Sequence, residues 1–214
     1  MKTETEFEHV TLIQHPLISR DLTLLRDETS STAKFRKVMQ RIATILAYHA
    51  LDNLPLKTIS TKTPIKQTDG YVLDKEVVVV PILRAGLSLV DAILQFIPDA
   101  RVGHLGMYRD EETLNPVDYY SNIPEGIGEA LTLVVDPMLA TGGSADDAIT
   151  FLKKSGAGQI QFISLISAPE GLQKLHNIHP DVPVITTAID SHLNDQAFIV
   201  PGLGDAGDRY FGTL

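Results

Sequence analysis

Residues 77–82 read Val-Val-Val-Val-Pro-Ile, six apolar positions in a row. A strand with one face in water alternates apolar and polar residues, because successive side chains point to opposite sides. A strand that is apolar throughout must be covered on both faces, as in a parallel sheet flanked by helices. Downstream, Val102–Met107, Leu131–Val135, Gln161–Ile166 and Val184–Ile189 are read as further strands. Helical stretches fall between them at about Gly86–Phe96, Ser144–Lys154 and Pro169–Asn177. This alternation predicts an α/β fold: an open, mainly parallel sheet with helices on its faces.

Upstream, Phe35, Val38, Met39, Ile42, Ile45, Leu46 and His49 recur at three- and four-residue steps. They form the stripe of an amphipathic helix from about Ser30 to Ala50, with Ser30, Ser31 and Thr32 as N-cap candidates. Thr58–Ile65 and Tyr71–Leu73, grouped around an Asp69-Gly70 turn signal, predict a β-hairpin arm. Residues Arg109–Gly128 break the rhythm with charges, prolines and two tyrosines, and read as a long loop or mobile hairpin of the kind that covers active sites. No linker or repeat interrupts the 214 residues. One domain is expected, with N-terminal helices and arm in 1–76, the core sheet in 77–190 and a small hood in 191–214.

The net charge of −9 argues against a broad nucleic-acid-binding face. There is no apolar run long enough to span a membrane, and the N-terminus lacks the apolar core of a signal peptide. Absence of cysteine removes thiolate metal sites and disulfides, and fits a reducing cytoplasm. An acidic chain that binds a phosphate ester must therefore do so locally, with arginines, backbone N–H groups or a metal ion.

Residues 131–149, LTLVVDPMLATGGSADDAI, offer such a place. A strand ends at Val135, Asp136 follows, and Thr141-Gly142-Gly143-Ser144 opens a helix. Glycines let backbone N–H groups approach an oxyanion, the two hydroxyls add donors, and the helix start contributes its positive dipole end. Asp136 stands at the carboxyl end of its strand, where ligands of open α/β sheets bind. It suits sugar hydroxyls or developing positive charge. The bland alternative is a capped helix whose glycines serve only the turn. No Walker P-loop and no G-x-G-x-x-G fingerprint is present, which disfavours nucleotide triphosphatases and dinucleotide oxidoreductases.

Arg84, in PILRAGLSL, follows the apolar strand and offers a planar fork of donors to phosphate oxygens. Taken alone it reads better as a surface arginine in a tight connection. The C-terminal AFIVPGLGDAGDRYFGT places glycines at 202, 204, 207 and 212. It is either a structural loop or a set of tight turns presenting backbone donors and acceptors. His49 reads as helix packing, His176 and His179 as surface positions, and no histidine set has metal-ligand spacing. Asp146 and Asp147 read as first-turn carboxylates facing the helix dipole, and Asp110, Glu111 and Glu112 as a solvated charge run. Tyr119 and Tyr120 read as packing or lid contacts.

Four ordered strings, PILRAGL, GMYRDEETLNPVDYY (106–120), VVDPMLATGGS and IVPGLGDAGDR, resemble the uracil phosphoribosyltransferases of the type I phosphoribosyltransferase family, and the resemblance covers nearly the whole chain, from HPLISRDLTLLRD (15–27) to FGTL. Most type I members carry two adjacent acids before TGG; here Asp136 is followed by Pro137, a departure shared by the uracil branch. The resemblance implies transfer of phosphoribosyl from phosphoribosyl pyrophosphate to uracil, giving UMP and pyrophosphate. It implies that Arg84 and Arg109 hold the pyrophosphate, and that Pro137, Met138, Leu139, Ala140, Thr141, Gly142, Gly143 and Ser144 cradle the 5-phosphate. Asp136 would engage the ribose. Ile199, Gly204 and Ala206 would meet uracil through backbone atoms, and Asp205 would face the donor through magnesium-bound water. Magnesium, GTP as an effector, and a homodimer or larger assembly using the 58–73 hairpin are further expectations of the same kind. The rival expectations are a transferase for another base and a non-catalytic nucleotide-binding regulator on the same scaffold.

Overall fold

A computed structural model describes the backbone of residues 2–4, 7–109 and 116–213. The chain opens with β1 (Lys2–Glu4) and β2 (Val10–Ile13), then α1 (Pro16–Arg26) and α2 (Thr32–Ala50). The arm is β3 (Leu56–Lys62) and β4 (Gln67–Leu73). Next come β5 (Val77–Pro81), α3 (Leu87–Leu94), β6 (Arg101–Val102), and the hairpin β7 (His104–Arg109) and β8 (Pro116–Asn122). β9 (Leu131–Val135) leads through β10 (Met138–Leu139) into α4 (Gly143–Lys154). β11 (Gln159–Ile163), β12 (Ile166–Ser167), α5 (Pro169–Ile178), β13 (Val184–Thr186) and β14 (Ala188–Ile189) complete the core. β15 (His192–Leu193), β16 (Ile199–Val200) and α6 (Ala206–Phe211) form the tail.

Among the described residues the main sheet has seven strands, in the order β1-β2-β13-β11-β9-β5-β6. Every pairing in it is parallel except that of β1 with β2. The valine run explains itself in this setting. Val77 and Val79 pack into a core with α1, α2 and α3, while Val78 and Val80 pack into a second core with α4 and α5. All four are essentially without solvent contact. Leu133 and Val134 of β9 divide between the two cores in the same way. A polar side chain at any of these positions would be buried without water, at a cost of roughly 1–3 kcal/mol.

Several boundaries differ from expectation. The β3–β4 hairpin does not turn at Asp69-Gly70, because Gly70 pairs with Ile59 inside the ladder. The turn is at residues 63–66, where the Thr63 hydroxyl accepts from Ile65 N–H and Lys66 N–H and donates to the Lys66 carbonyl. Pro64, whose ring pre-sets φ for the second position of a turn, completes that signal. The 102–107 run is divided at Gly103: β6 belongs to the main sheet, and β7 leaves it to pair with β8. The strands expected at 161–166 and 184–189 are each broken in two, with β12 and β14 joining β10 in a small separate sheet at the carboxyl end. β2, an edge of the parallel array, and α1 were not anticipated as elements. α1 starts with His15 as N-cap, its ring accepting from Leu17 N–H at 3.1 Å, and Pro16 at the first helical turn.

His179 is not a surface residue. It is buried at the end of α5, with Nε2 3.2 Å from Asp146 Oδ1 on α4 and Nδ1 3.3 Å from Lys153 Nζ. An ammonium can only donate, so Nδ1 accepts from it and the Nε2 proton goes to Asp146. Asp146, which also meets Lys174 at 3.6 Å, therefore joins α4 to α5 as well as facing its own helix dipole.

Candidate active site

The strand ends and the tail meet at a cavity of about 220 Å³ at the carboxyl end of the sheet. Its walls include Asp136, Met138 and Ala140 from the β9–α4 connection, and Ile199, Gly204, Asp205 and Ala206 from the tail. Ala85 contributes from the β5–α3 connection. Segments some 60 residues apart in sequence thus share one hollow, because parallel strands deliver all their following loops to the same side.

The β9–α4 connection alternates. Met138 and Ala140 line the cavity, whereas Leu139 is buried in the core beneath, as the two-residue period of β10 requires. Leu139 could therefore serve a ligand only through its backbone. Pro137 is buried, and its carbonyl accepts from Leu165 and Ile166 N–H groups, tying the loop to the β11–β12 turn. Thr141 and Ser144 are exposed, and the Thr141 hydroxyl accepts from Gly143 N–H at 3.3 Å. Gly142 has φ +75°, the left-handed region that side chains other than glycine rarely enter. A Cβ there would also lie 3.0 Å from the Gly171 carbonyl, and one on Gly171 would lie 2.4 Å from the Ala140 carbonyl. Two backbones touch, which holds the turn into α4 in place.

Asp136 accepts from Met138 N–H at 3.3 Å. Burial, opposed by that hydrogen bond and reinforced by the negative charge of Asp205, raises its carboxyl to about 7. Such a group is poorly satisfied by the protein alone. Hydroxyl donors or positive charge entering the cavity would restore its ionised form.

Asp205 caps α6, accepting from Asp208 N–H at 2.8 Å. Arg84 is exposed and donates to Asp208 Oδ1 at 3.0 Å, with its guanidinium carbon 5.8 Å from the centre of the Phe211 ring. The Leu83–Arg84 peptide is cis. Bonds from Thr213 and then from Arg84 hold Asp208 below the usual carboxylate range. Arg84 thus stands beside the cavity, joined to the helix that Asp205 begins. Arg109 ends β7, and its side chain lies outside the described residues, as do residues 110–115. Of the 109–128 segment read as a lid, β8 and residues 123–128 are described, and Ile127 is buried in the second core.

Sequence reasoning assigned no role to Ala85, Ala197 and Phe198, which also line the cavity. None carries a chemical signature; only the fold brings them there. Among the described residues no group of three or more histidines, aspartates or glutamates could hold a metal by itself. The donors facing the cavity are carboxylate oxygens of Asp136 and Asp205, close enough for one charge to raise the other's pKa. That set fits a hard divalent cation which keeps its waters and most of its ligands from a phosphorylated substrate.

The fold recurs in adenine phosphoribosyltransferase from Leishmania tarentolae, with TM-score 0.61 over 96% of this chain and 100% of that one at 13% identity. The fold is that of the type I phosphoribosyltransferases. A closer solved structure, a protein of Aquifex aeolicus, is 38% identical with TM-score 0.87, covering 94% of this chain and 97% of that one. The uracil phosphoribosyltransferase of Salinibacter ruber is 58% identical over 206 residues, 96% of this chain and 98% of its own length. A family model for uracil phosphoribosyltransferase matches residues 12–213. The chain belongs to the uracil phosphoribosyltransferase family.

Proposed function

We propose that this chain transfers the phosphoribosyl group of phosphoribosyl pyrophosphate to N1 of uracil, releasing pyrophosphate and forming UMP, a step of pyrimidine salvage. The observation that carries this reading is the single cavity shared by Asp136 and the glycine-rich tail. One wall carries a carboxylate suited to a ribose, and the other carries backbone suited to a base.

The N-terminus of α4, with the Gly142 turn and the Thr141 and Ser144 hydroxyls, would receive the 5-phosphate. Asp136 accepts hydrogen bonds from the ribose hydroxyls and, once ionised, favours positive charge developing at C1 as pyrophosphate departs. Arg84 offers its fork to the pyrophosphate, and Arg109 is assigned the same role from the lid. Uracil N1 attacks from the face opposite the leaving group, giving inversion. Uracil shows two carbonyl acceptors and an N3–H donor along its edge. Backbone groups of Ile199, Gly204 and Ala206 match that pattern, and cytosine would leave some of them unpaired. No side chain of the tail is a strong general base, so positioning and electrostatics carry the acceleration. Magnesium bound with the donor would neutralise pyrophosphate charge, with Asp205 holding it through water. A cytoplasmic setting, activation by GTP and a homodimer or larger assembly belong to the same reading.

The test is formation of UMP from uracil and phosphoribosyl pyrophosphate, with and without magnesium, beside a panel of cytosine, hypoxanthine and orotate. Turnover of uracil alone is expected. Preference for another base would replace the reading, and no turnover of any base would favour a binding protein.

A further inference from the structure

The tail is fixed at one peptide by an ion pair that does not itself line the cavity. Arg26, the last residue of α1, donates from its two terminal nitrogens to the two carboxylate oxygens of Asp190, both at 2.7 Å. The same Arg26 donates to the Gly202 carbonyl at 2.8 Å, and Gly202 N–H donates to Asp190 Oδ2 at 3.0 Å. Both polar groups of Gly202 are therefore held by the pair, as a neighbouring strand would hold them. The side chain of Asp190 is 5% exposed and that of Arg26 26%. A two-pronged, planar contact of this burial resists rotation far better than a surface ion pair.

The next carbonyl, of Leu203, accepts from Arg209 at 2.7 Å, and Arg209 also reaches the carbonyls of Leu25 and Asp27 at the end of α1. Residues 202 and 203, neither of which lines the cavity, are thus bound to α1 and its end. They lie between Ile199 and Gly204, whose surfaces face into it. Setting the height of this short bridge sets where the backbone groups on either side of it point.

We propose that Arg26 and Asp190 are a positioning pair for base specificity. They hold the Gly202 peptide so that the flanking backbone meets the hydrogen-bonding edge of the pyrimidine, without touching it themselves. The inference rests on the uracil reading above. A second anchor of the same tail supplies the contrast. Arg36 on α2 donates to the carbonyls of Tyr210 at 2.6 Å and Phe211 at 3.3 Å, beyond the cavity.

The experiment uses the full chain as wild type, Asp190→Asn, Arg26→Lys and Arg36→Gln. Steady-state kinetics give kcat and KM for uracil and for phosphoribosyl pyrophosphate, cytosine inhibition gives discrimination, and thermal melting gives stability. In Asp190→Asn, loss of charge-assisted bonds is expected to raise uracil KM about tenfold. The gap between cytosine inhibition and uracil KM should narrow, while the KM of the donor stays within about twofold. Arg26→Lys keeps the charge but loses the fork, and should move the same quantities in the same direction by less. Arg36→Gln should lower the melting temperature and leave uracil KM alone. Equal rises in both KM values, or an unmoved uracil KM in a folded Asp190→Asn protein, would overturn the proposal. If Asp190→Asn does not fold, Arg26→Lys decides by the same criteria, and failure of both to fold reduces the pair to a folding element. Wild type that turns over no uracil removes the function reading, and the inference with it; active wild type with unaltered variants removes the inference only.

Discussion

The two ends of the central sheet both carry hollows, and the larger one is chemically the poorer. At the amino end, a cavity of about 460 Å³ is bordered by Asn53, Gln159, Gln161 and apolar residues, with Asp181 as its carboxylate. Lys153 already holds that carboxylate at 2.6 Å and keeps its pKa low. At the carboxyl end, about 220 Å³ is enough to bring together two carboxylates, the β9–α4 connection and the turns of the tail. One of those carboxylates is left with its charged form disfavoured. The difference lies in direction rather than room. Parallel strands send their following loops and helix N-termini to one end, so unpaired donors and poised acids gather there. The amino end receives arriving chain and neutral amides.

The contrast is put to its hardest test by Asp136→Asn. Removing the carboxylate is expected to cut kcat by about 100-fold or more while uracil KM changes little. Initial rates of UMP formation measure this, and unchanged kcat would take Asp136 out of the chemistry. Next, Arg84→Lys should lower kcat/KM for the donor about tenfold by losing the fork, with uracil KM unaffected. Gly142→Ala forces a side chain into a left-handed turn at a cost of about 1–2 kcal/mol, read as a lower melting temperature and a severalfold weaker KM for the donor.

A fourth expectation concerns pH without ligand. The Asp136 carboxyl stands near 3.8 in ordinary surroundings and about 7 in the folded chain. Between those values the folded chain keeps a proton that the unfolded chain has lost. The stability this supplies is complete below about pH 4 and is lost as pH climbs through about 7. Asp136→Asn, which cannot ionise, should melt with wild type near pH 3 and above it at pH 8. Equal melting at both would mean that the carboxylate is not strained by its surroundings. Smallest of all, Gln161→Ala at the amino end should leave both kinetic constants within about twofold. A larger effect would break the division between the two ends.

Much of the α/β frame was legible because its signal is local. β9 coincides with the run Leu131–Val135, and α4 begins one residue before Ser144. A strand covered on both faces announces itself in five consecutive residues. By contrast, β2 is only Val-Thr-Leu-Ile, and it earns its place by pairing with β13, more than 170 residues later. Nothing near His179 foretells burial, since its partners Asp146 and Lys153 sit on another helix. The Asp69-Gly70 signal lost to Thr63-Pro64 because a side-chain hydroxyl can fix a turn that composition alone leaves ambiguous. The same rule holds in the crevice. Asp136 and the TGGS turn stood out as one contiguous string, whereas Arg26 and Asp190, 164 residues apart, form a pair only once the chain is folded.

The contact between Gly142 and Gly171 carries a consequence for how such a protein can change. Where a bulky side chain crowds another, trimming the second makes room for the first. Here each absent methyl would collide with main chain, and no substitution trims a carbonyl. The two positions cannot compensate for one another, however many generations or design rounds are spent. A version of this loop reshaped for a larger donor would have to shift the whole of α5 and everything that leans on it.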